Sequence, residues 1–270
     1  MIRFLHRSFR TLALFAVAIP AAVHAQETAV VPPSFENTCA TGTASAQPFP
    51  FATAPQFNLP YRYQQVYNAL AFPSVASGDV LRISEIRFRV DEYSGGLEPI
   101  TYADITVNMS TTEQVAGTLA TGSTEILDAN RGEDQTTVFS GGFTWDGCGT
   151  PDACALHVCG PDFTPLPFDQ SIVFTESFDY DPTLGNLLLE VFNLDPTPQN
   201  QLFDAAEVPS PVTSRVREVI DPSNQNHLFP TNVANVGLVT EFVYTVPEPG
   251  ATALAGAVGL ALLTLRRTRG

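Results

Sequence analysis

The segment Val80-Leu81-Arg82-Ile83-Ser84-Glu85-Ile86-Arg87-Phe88-Arg89-Val90 decides the fold class. Leu81 and Ile83 alternate with Arg82, and Ile86, Phe88 and Val90 alternate with Arg87 and Arg89, the two-residue period of a strand with one face inside. At Ser84-Glu85 the parity slips, so the strand needs a bulge or a change of sheet there. Working outward, apolar runs of strand length bounded by Gly, Pro and Asp predict strands over 61–72, 102–109, 136–145, 171–178, 186–193, 214–219 and 236–246. In the last of these, Val236, Leu238, Phe242 and Tyr244 alternate with Gly237, Val239, Val243 and Thr245, as in a central strand covered on much of both faces. Between the termini no stretch carries a sustained 3.6-residue apolar stripe with caps, which confines helix to short pieces. The expectation is an all-β body, an antiparallel β-sandwich of jelly-roll type whose core draws on the chain's 19 phenylalanines.

The two ends read differently. Residues 1–25 place Arg3, Arg7 and Arg10 ahead of an apolar stretch at 12–19, then Val23-His24-Ala25 before Gln26, the three parts of a secretory signal helix with cleavage between Ala25 and Gln26. That stretch is far shorter than the ~20 residues of a spanning helix. Residues 250–265 are apolar and would form a helix of ~24 Å against a hydrocarbon core of ~30 Å, a short transmembrane span. Arg266, Arg267 and Arg269 come next; they can snorkel to one interface, and they favour the cytoplasm for that end, which puts the body outside. Ala251, Ala255 and Gly259 fall on one helix face where another helix could approach closely. The resulting organisation is a signal peptide at 1–25, an arm and edge segment at 26–60, a sandwich domain at 61–246 and a tail at 247–270.

The order of that tail, Pro247-Glu248-Pro249, then the apolar run, then Arg266, Arg267 and Arg269, resembles the PEP-CTERM sorting tail of bacterial surface proteins. The stretches at 55–67 (Pro-Gln-Phe-Asn-Leu-Pro-Tyr-Arg-Tyr-Gln-Gln-Val-Tyr) and 180–191 (Tyr-Asp-Pro-Thr-Leu-Gly-Asn-Leu-Leu-Leu-Glu-Val) likewise resemble members of that group with a β-sandwich body. The resemblance implies an exosortase-type processing enzyme as partner, with Pro247, Glu248 and Pro249 as its recognition element. It implies a transient tether in the inner membrane, then a place at the cell surface or in an extracellular matrix with exopolysaccharide. It implies no activity, and the region 148–159 departs from the group's pattern.

Between Glu27 and Glu248 lie all 28 acidic residues and only seven arginines, a balance of −21 where the whole chain carries −15. Such a body repels nucleic acid and anionic head groups and favours cations. The chain has no lysine, which removes Schiff-base catalysis and a Walker lysine. His157 and His227 are the only histidines beyond the signal segment, and neither Gly-x-Ser-x-Gly nor His-Glu-x-x-His occurs. The expectation is a non-enzymatic protein, against which stand a carbohydrate-binding module and a glycoside hydrolase working with two carboxylates.

Cys39, Cys148, Cys154 and Cys159 are even in number in an exported region, which predicts two disulfides in one of three connectivities. Cys148, Cys154, His157 and Cys159 could alternatively hold zinc, although their spacing matches no standard pattern. Glu176, Asp179 and Asp181 form a candidate calcium loop, as for a calcium-dependent adhesin, and Asp128, Glu133 and Asp134 a second one. For both, a solvated acidic loop is the plainer reading. Tyr61, Tyr63, Tyr67, Tyr102 and Trp145 could stack on sugar rings or fill the core, and core packing is the expectation for most of them.

Overall fold

A computed structural model describes residues 25–40, 46–47, 50–51, 60–72, 79–91, 99–121, 124–146, 165–194, 202–207, 212–219 and 234–247. Residues 1–24 and 248–270, which hold all of the expected signal segment but Ala25 and all of the expected sorting tail but Pro247, lie outside them, as do Cys148, Cys154, Cys159, His157 and His227. The strands are β1 (Gln26–Val31), β2 (Ala46–Gln47), β3 (Tyr61–Tyr67), β4 (Leu81–Phe88), β5 (Ile100–Thr112), β6 (Thr136–Trp145), β7 (Gln170–Tyr180), β8 (Asn186–Asn193), β9 (Phe203–Glu207), β10 (Thr213–Val219), β11 (Val236–Leu238) and β12 (Thr240–Thr245). One short helix, α1 (Thr124–Asp128), lies between β5 and β6.

Three sheets, all antiparallel, have the orders β1-β12-β4-β7, β10-β3-β8-β5-β6 and β11-β9-β2. The alternation expected of strands is what joins the first two. Phe242 and Tyr244 of β12, Ile83, Ile86 and Phe88 of β4, Tyr63 and Tyr67 of β3 and Leu187, Leu189 and Val191 of β8 all enter one shared core. Two antiparallel sheets burying their inner faces against each other is the arrangement of a β-sandwich. The parity slip at Ser84 is a register shift: Ile83 faces Phe178 and Tyr244, while Glu85 faces Val173 and Val243.

Residues 236–246 form two strands rather than one. The chain leaves the three-stranded sheet after Leu238, and Val239 donates its N–H to the Asp204 carbonyl before β12 begins in the four-stranded sheet. Gln65 holds this corner, its side-chain amide donating to the Leu238 carbonyl at 2.9 Å and accepting from the Leu238 N–H at 2.9 Å. Strand β12 is central as expected, lying between β1 and β4.

The start of the arm differs from its reading as a loose segment. Residues 26–31 are the edge strand β1, because β12 supplies a full ladder from Gln26 opposite Thr245 to Val31 opposite Thr240. Ala29, Val30 and Val31 are buried as a result.

The core is densest around Phe51, whose ring meets those of Phe88, Tyr102, Phe143, Trp145 and Phe203 at centroid distances of 4.5–6.5 Å, mostly edge-on. Such aromatic packing adds stabilisation beyond its area. Truncation by Phe51→Ala should lower unfolding free energy by about 3–5 kcal/mol in a urea titration, the usual cost of emptying a large aromatic site.

Candidate functional site

The outer face of the five-stranded sheet carries a buried charge cluster centred on Glu190. Register puts Gln64 of β3 and Asn108 of β5 on either side of Glu190 in β8, and the two-residue period puts Arg62 on the same face. Oε1 of Glu190 accepts from Arg62 Nε and Gln64 Nε2, both at 2.8 Å. Oε2 accepts from Asn108 Nδ2 at 3.0 Å and Arg131 Nε at 2.9 Å. Asp128, at the end of α1, meets Arg62 Nη2 at 2.6 Å and Arg131 Nη1 at 2.9 Å. Arg62 and Arg131 also lie over the Phe192 ring, at 5.4 and 5.9 Å.

This cluster fastens a third layer. Gln64 Nε2 donates to the Leu127 carbonyl, and Asn130 Nδ2 donates to Gln64 Oε1. Beneath that cover Ala116, Leu119 and Leu127 pack on Val66, Leu188 and Val216 as a second small core. Gly132 is required where the cover turns back, since an added Cβ would lie 1.7 Å from the Thr111 carbonyl oxygen. Chemically, both oxygens of Glu190 are engaged by donors, so this carboxylate has no free lone pair for a substrate proton.

A second buried pair sits at the far end of β4. Arg89 Nε donates to Asp204 Oδ2 at 2.5 Å, and its Nη2 donates to the Thr38 carbonyl at 2.6 Å. The Ala40 N–H also points at the Asp204 carboxylate, and the Arg89 guanidinium lies 4.9 Å over the Phe168 ring. Burial pushes the Asp204 carboxyl up to about 6, with Asp91 adding to the rise while Arg89 and the Ala40 N–H oppose it. Cys39, Arg89, Val90, Asp91, Pro165, Leu166 and Asp204 line a recess here. The recess has room for one water and for no sugar ring. Arg89 Nη1 is buried there with no hydrogen-bond partner among the described residues. Cys39 is not a free thiol.

The calcium candidates are not brought together. Asp179 is an exposed partner of Arg82 at 2.8 Å, and that guanidinium holds its carboxyl below the usual range. Asp181 Oδ1 accepts from the Thr183 N–H and hydroxyl, closing its own turn, and Glu176 is exposed along β7. Asp128 belongs to the Glu190 cluster, and Asp134 Oδ1 accepts from the Thr111 N–H at 2.8 Å. Among the described residues no group of three His, Cys, Asp or Glu side chains could hold a metal ion.

Tyr61, Tyr63, Tyr67, Tyr102 and Trp145 are all buried, which leaves none as an open stacking platform. Trp145 Nε1 donates to the Ser171 carbonyl at 2.7 Å, stitching β6 to β7 across the two sheets. Burial raises the Tyr67 hydroxyl well above its ordinary value.

Sequence reading singled out neither Glu190 nor Asp204. The available signal was a single acid inside the apolar run Leu187-Leu188-Leu189-Glu190-Val191, since a charge in a strand covered on both faces must find partners. Family models, curated proteins and solved structures contain no match to this chain.

Replacing Glu190 by Leu removes the buried carboxylate that Arg62 shares with Arg131 and leaves Arg62 only the half-exposed Asp128, and we expect a loss of about 3 kcal/mol in unfolding free energy, the scale for breaking one side of a buried pair. Proteolysis within 113–135 should begin earlier in that variant. For Asp204 the folded value of about 6 lies above the ordinary value near 4, so the folded state binds more protons between them. Its contribution is therefore complete below about pH 4 and is lost as pH rises through about 6. Urea titrations from pH 4 to 7.5 should show a smaller pH slope in Asp204→Asn than in the parent.

Proposed function

We propose that this is an exported, non-enzymatic protein of the cell surface or extracellular matrix, delivered by its signal segment and sorted by a PEP-CTERM tail. The observation that carries the reading is the order Pro247-Glu248-Pro249, a largely apolar run of sixteen residues, then Arg266, Arg267 and Arg269. Body geometry supports it: β12 stays in the sheet up to Thr245, two residues before Pro247. A folded domain thus reaches the start of the tail, and the linker from there to the apolar run is short enough for a membrane-embedded transpeptidase of the exosortase type to act beside it. The association with exopolysaccharide is part of the same proposal.

The finer fold reading is a jelly roll. Of the eight strands β1, β3, β4, β5, β6, β7, β8 and β12, taken in chain order, the first sheet holds the first, eighth, third and sixth. The second holds the second, seventh, fourth and fifth, flanked by β10. Those interleaved orders are what two Greek keys folded onto each other produce. The same topology favours a disulfide from Cys39 to the 148–159 segment. That segment joins the end of β6 to the start of β7, and Pro165 and Leu166, just beyond it, share the recess beside Cys39.

The test is intact-mass and C-terminal peptide analysis of the protein from its host's envelope and medium, with and without reduction. The expected results are an N-terminus at Gln26, a C-terminus near Pro249, and non-reduced peptides joining Cys39 to 148–159. A membrane-bound product ending at Gly270 would remove the processing step and leave a permanently anchored protein.

A further inference from the structure

Three exposed aliphatic side chains stand at one end of the sandwich. Leu70 is 92% exposed, Leu184 72% and Val115 48%. They belong to three different connections, and Asn186 clamps these together: its Oδ1 accepts from the Ala69 N–H at 2.9 Å and its Nδ2 donates to the Gln114 carbonyl at 2.8 Å. Leu184 lies two residues before that clamp, in a turn closed by its own N–H on the Asp181 carbonyl and packed on β5, since a Cβ on Gly185 would lie 2.7 Å from the Thr112 oxygen. These connections are therefore held in place with their aliphatic tips outward.

The register fixes what else leaves from this end. Tyr180, the last residue of β7, faces Leu81; Arg82 next to it faces Thr245; and Thr245 faces Gln26. The β7–β8 turn carrying Leu184 thus lies at the same end of the sheet as the last residue of β12 and the first of β1. Pro247 is two residues past Thr245, and the apolar run begins at Gly250. Val246 to Pro249 gives a tether of four residues, at most ~14 Å when extended.

We propose that this end of the domain rests on a lipid bilayer, with Leu70, Leu184 and Val115 lodged at the boundary between head groups and acyl chains. The inference rests on the reading of 250–265 as a membrane segment, and it specifies which face of the body meets the membrane before processing. A four-residue tether forces one face of the body close to the lipid, and the register selects the face that carries Leu70 and Leu184, the two most exposed large aliphatics among the described residues. Insertion of apolar side chains from a fixed surface is how peripheral elements hold an interface. Glu113, Asp181 and the Arg82–Asp179 pair lie at the same end, and the body's balance of −21 opposes anionic head groups, so the matching surface is zwitterionic. The end bearing Cys39 and the Arg89–Asp204 pair then points away from the membrane.

The experiment places single tryptophans in the full-length chain reconstituted in phosphatidylcholine vesicles with brominated acyl chains. Native Trp145 is buried and gives a constant background. Leu254→Trp reports the tail, Leu70→Trp and Leu184→Trp report the proposed contact, and Leu194→Trp, in the connection after β8 at the opposite end, is the control. The expected result is bromine quenching and a blue shift at 254, 70 and 184, with neither at 194. Quenching at 254 but not at 70 or 184 overturns the lipid contact while leaving the membrane tail standing. Absence of quenching at 254 overturns both readings. A blue shift at 70 and 184 that persists in unbrominated vesicles, grows with protein concentration and lacks bromine quenching assigns the surface to a second copy and overturns the lipid contact.

Discussion

The sandwich depends on β12 holding two ladders at once. Its six residues pair with β1 on one side and β4 on the other, joining segments from the beginning and the first third of the chain through the last strand. Without it β1 has no neighbour in its sheet, and β4 keeps only β7. Pairing segments so distant in sequence carries the full cost of closing the intervening loops, so this sheet completes late. In a chain emerging from its N-terminus, the four-stranded sheet cannot close before residue 245 is available. Closure and exposure of the tail are therefore consecutive events, a consequence of topology alone.

Once closed, the structure is held by charge as well as by apolar area: Arg82 and Arg87 join strands of one sheet, Arg62 and Arg131 tie the α1 cover to the five-stranded sheet, and Arg89 reaches β9. Arg62, Arg82, Arg87, Arg89 and Arg131 each meet a carboxylate, and Glu190 and Asp204 serve as buried hubs. Buried pairs are an uncertain source of net stability, but a misplaced one is costly, which makes them effective at specifying a single arrangement. Arginine suits this role because its planar fork engages several acceptors at once, as Arg62 does with Glu190 and Asp128, while its face lies on Phe192. The arginines being committed to these pairs, the surplus of acid falls to the surface. An acidic exterior over an interior fixed by arginine comes from one composition.

Strand existence was legible because it is a local property. The alternation at 81–88, the run at 186–193 and the turn residues between them placed β4, β5, β6, β7, β8 and β10 to within a few residues, while 61–72 ran five residues past β3 and 203–207 was not read as a strand; the parity slip marked the bulge at Ser84. What was not legible depends on partners distant in sequence. Gln26–Val31 shows three exposed positions before three buried ones, a pattern without strand signal until β12 provides its ladder. The break at Val239 is set by Asp204 and Gln65, neither of which is near it in sequence. The same holds for the site: each acid was visible as an acid, but whether it faced water, a cation or an arginine was decided by register. Asp128 and Asp179 carry the chemistry a cation would want, and the fold gives both to arginines.

The Pro-Glu-Pro triplet has a mechanical consequence that is independent of recognition by any enzyme. A strand between two antiparallel neighbours is extended by residues whose N–H and C=O both reach the neighbour they face. Proline lacks the N–H, so Pro247 cannot continue the β12 ladder, and it biases Val246 before it to extended backbone. A second proline two residues later denies the ladder another donor. By covalent chemistry alone, the two prolines thus oppose any lengthening of the β1 and β4 ladders between Thr245 and Gly250. A peptide bond can be cut only where it can be drawn out as a single strand, and a bond within β12 would first require two ladders to open. On the sorting reading, the prolines mark where the folded body stops being protected, and the limit is set as close to the membrane as the body allows.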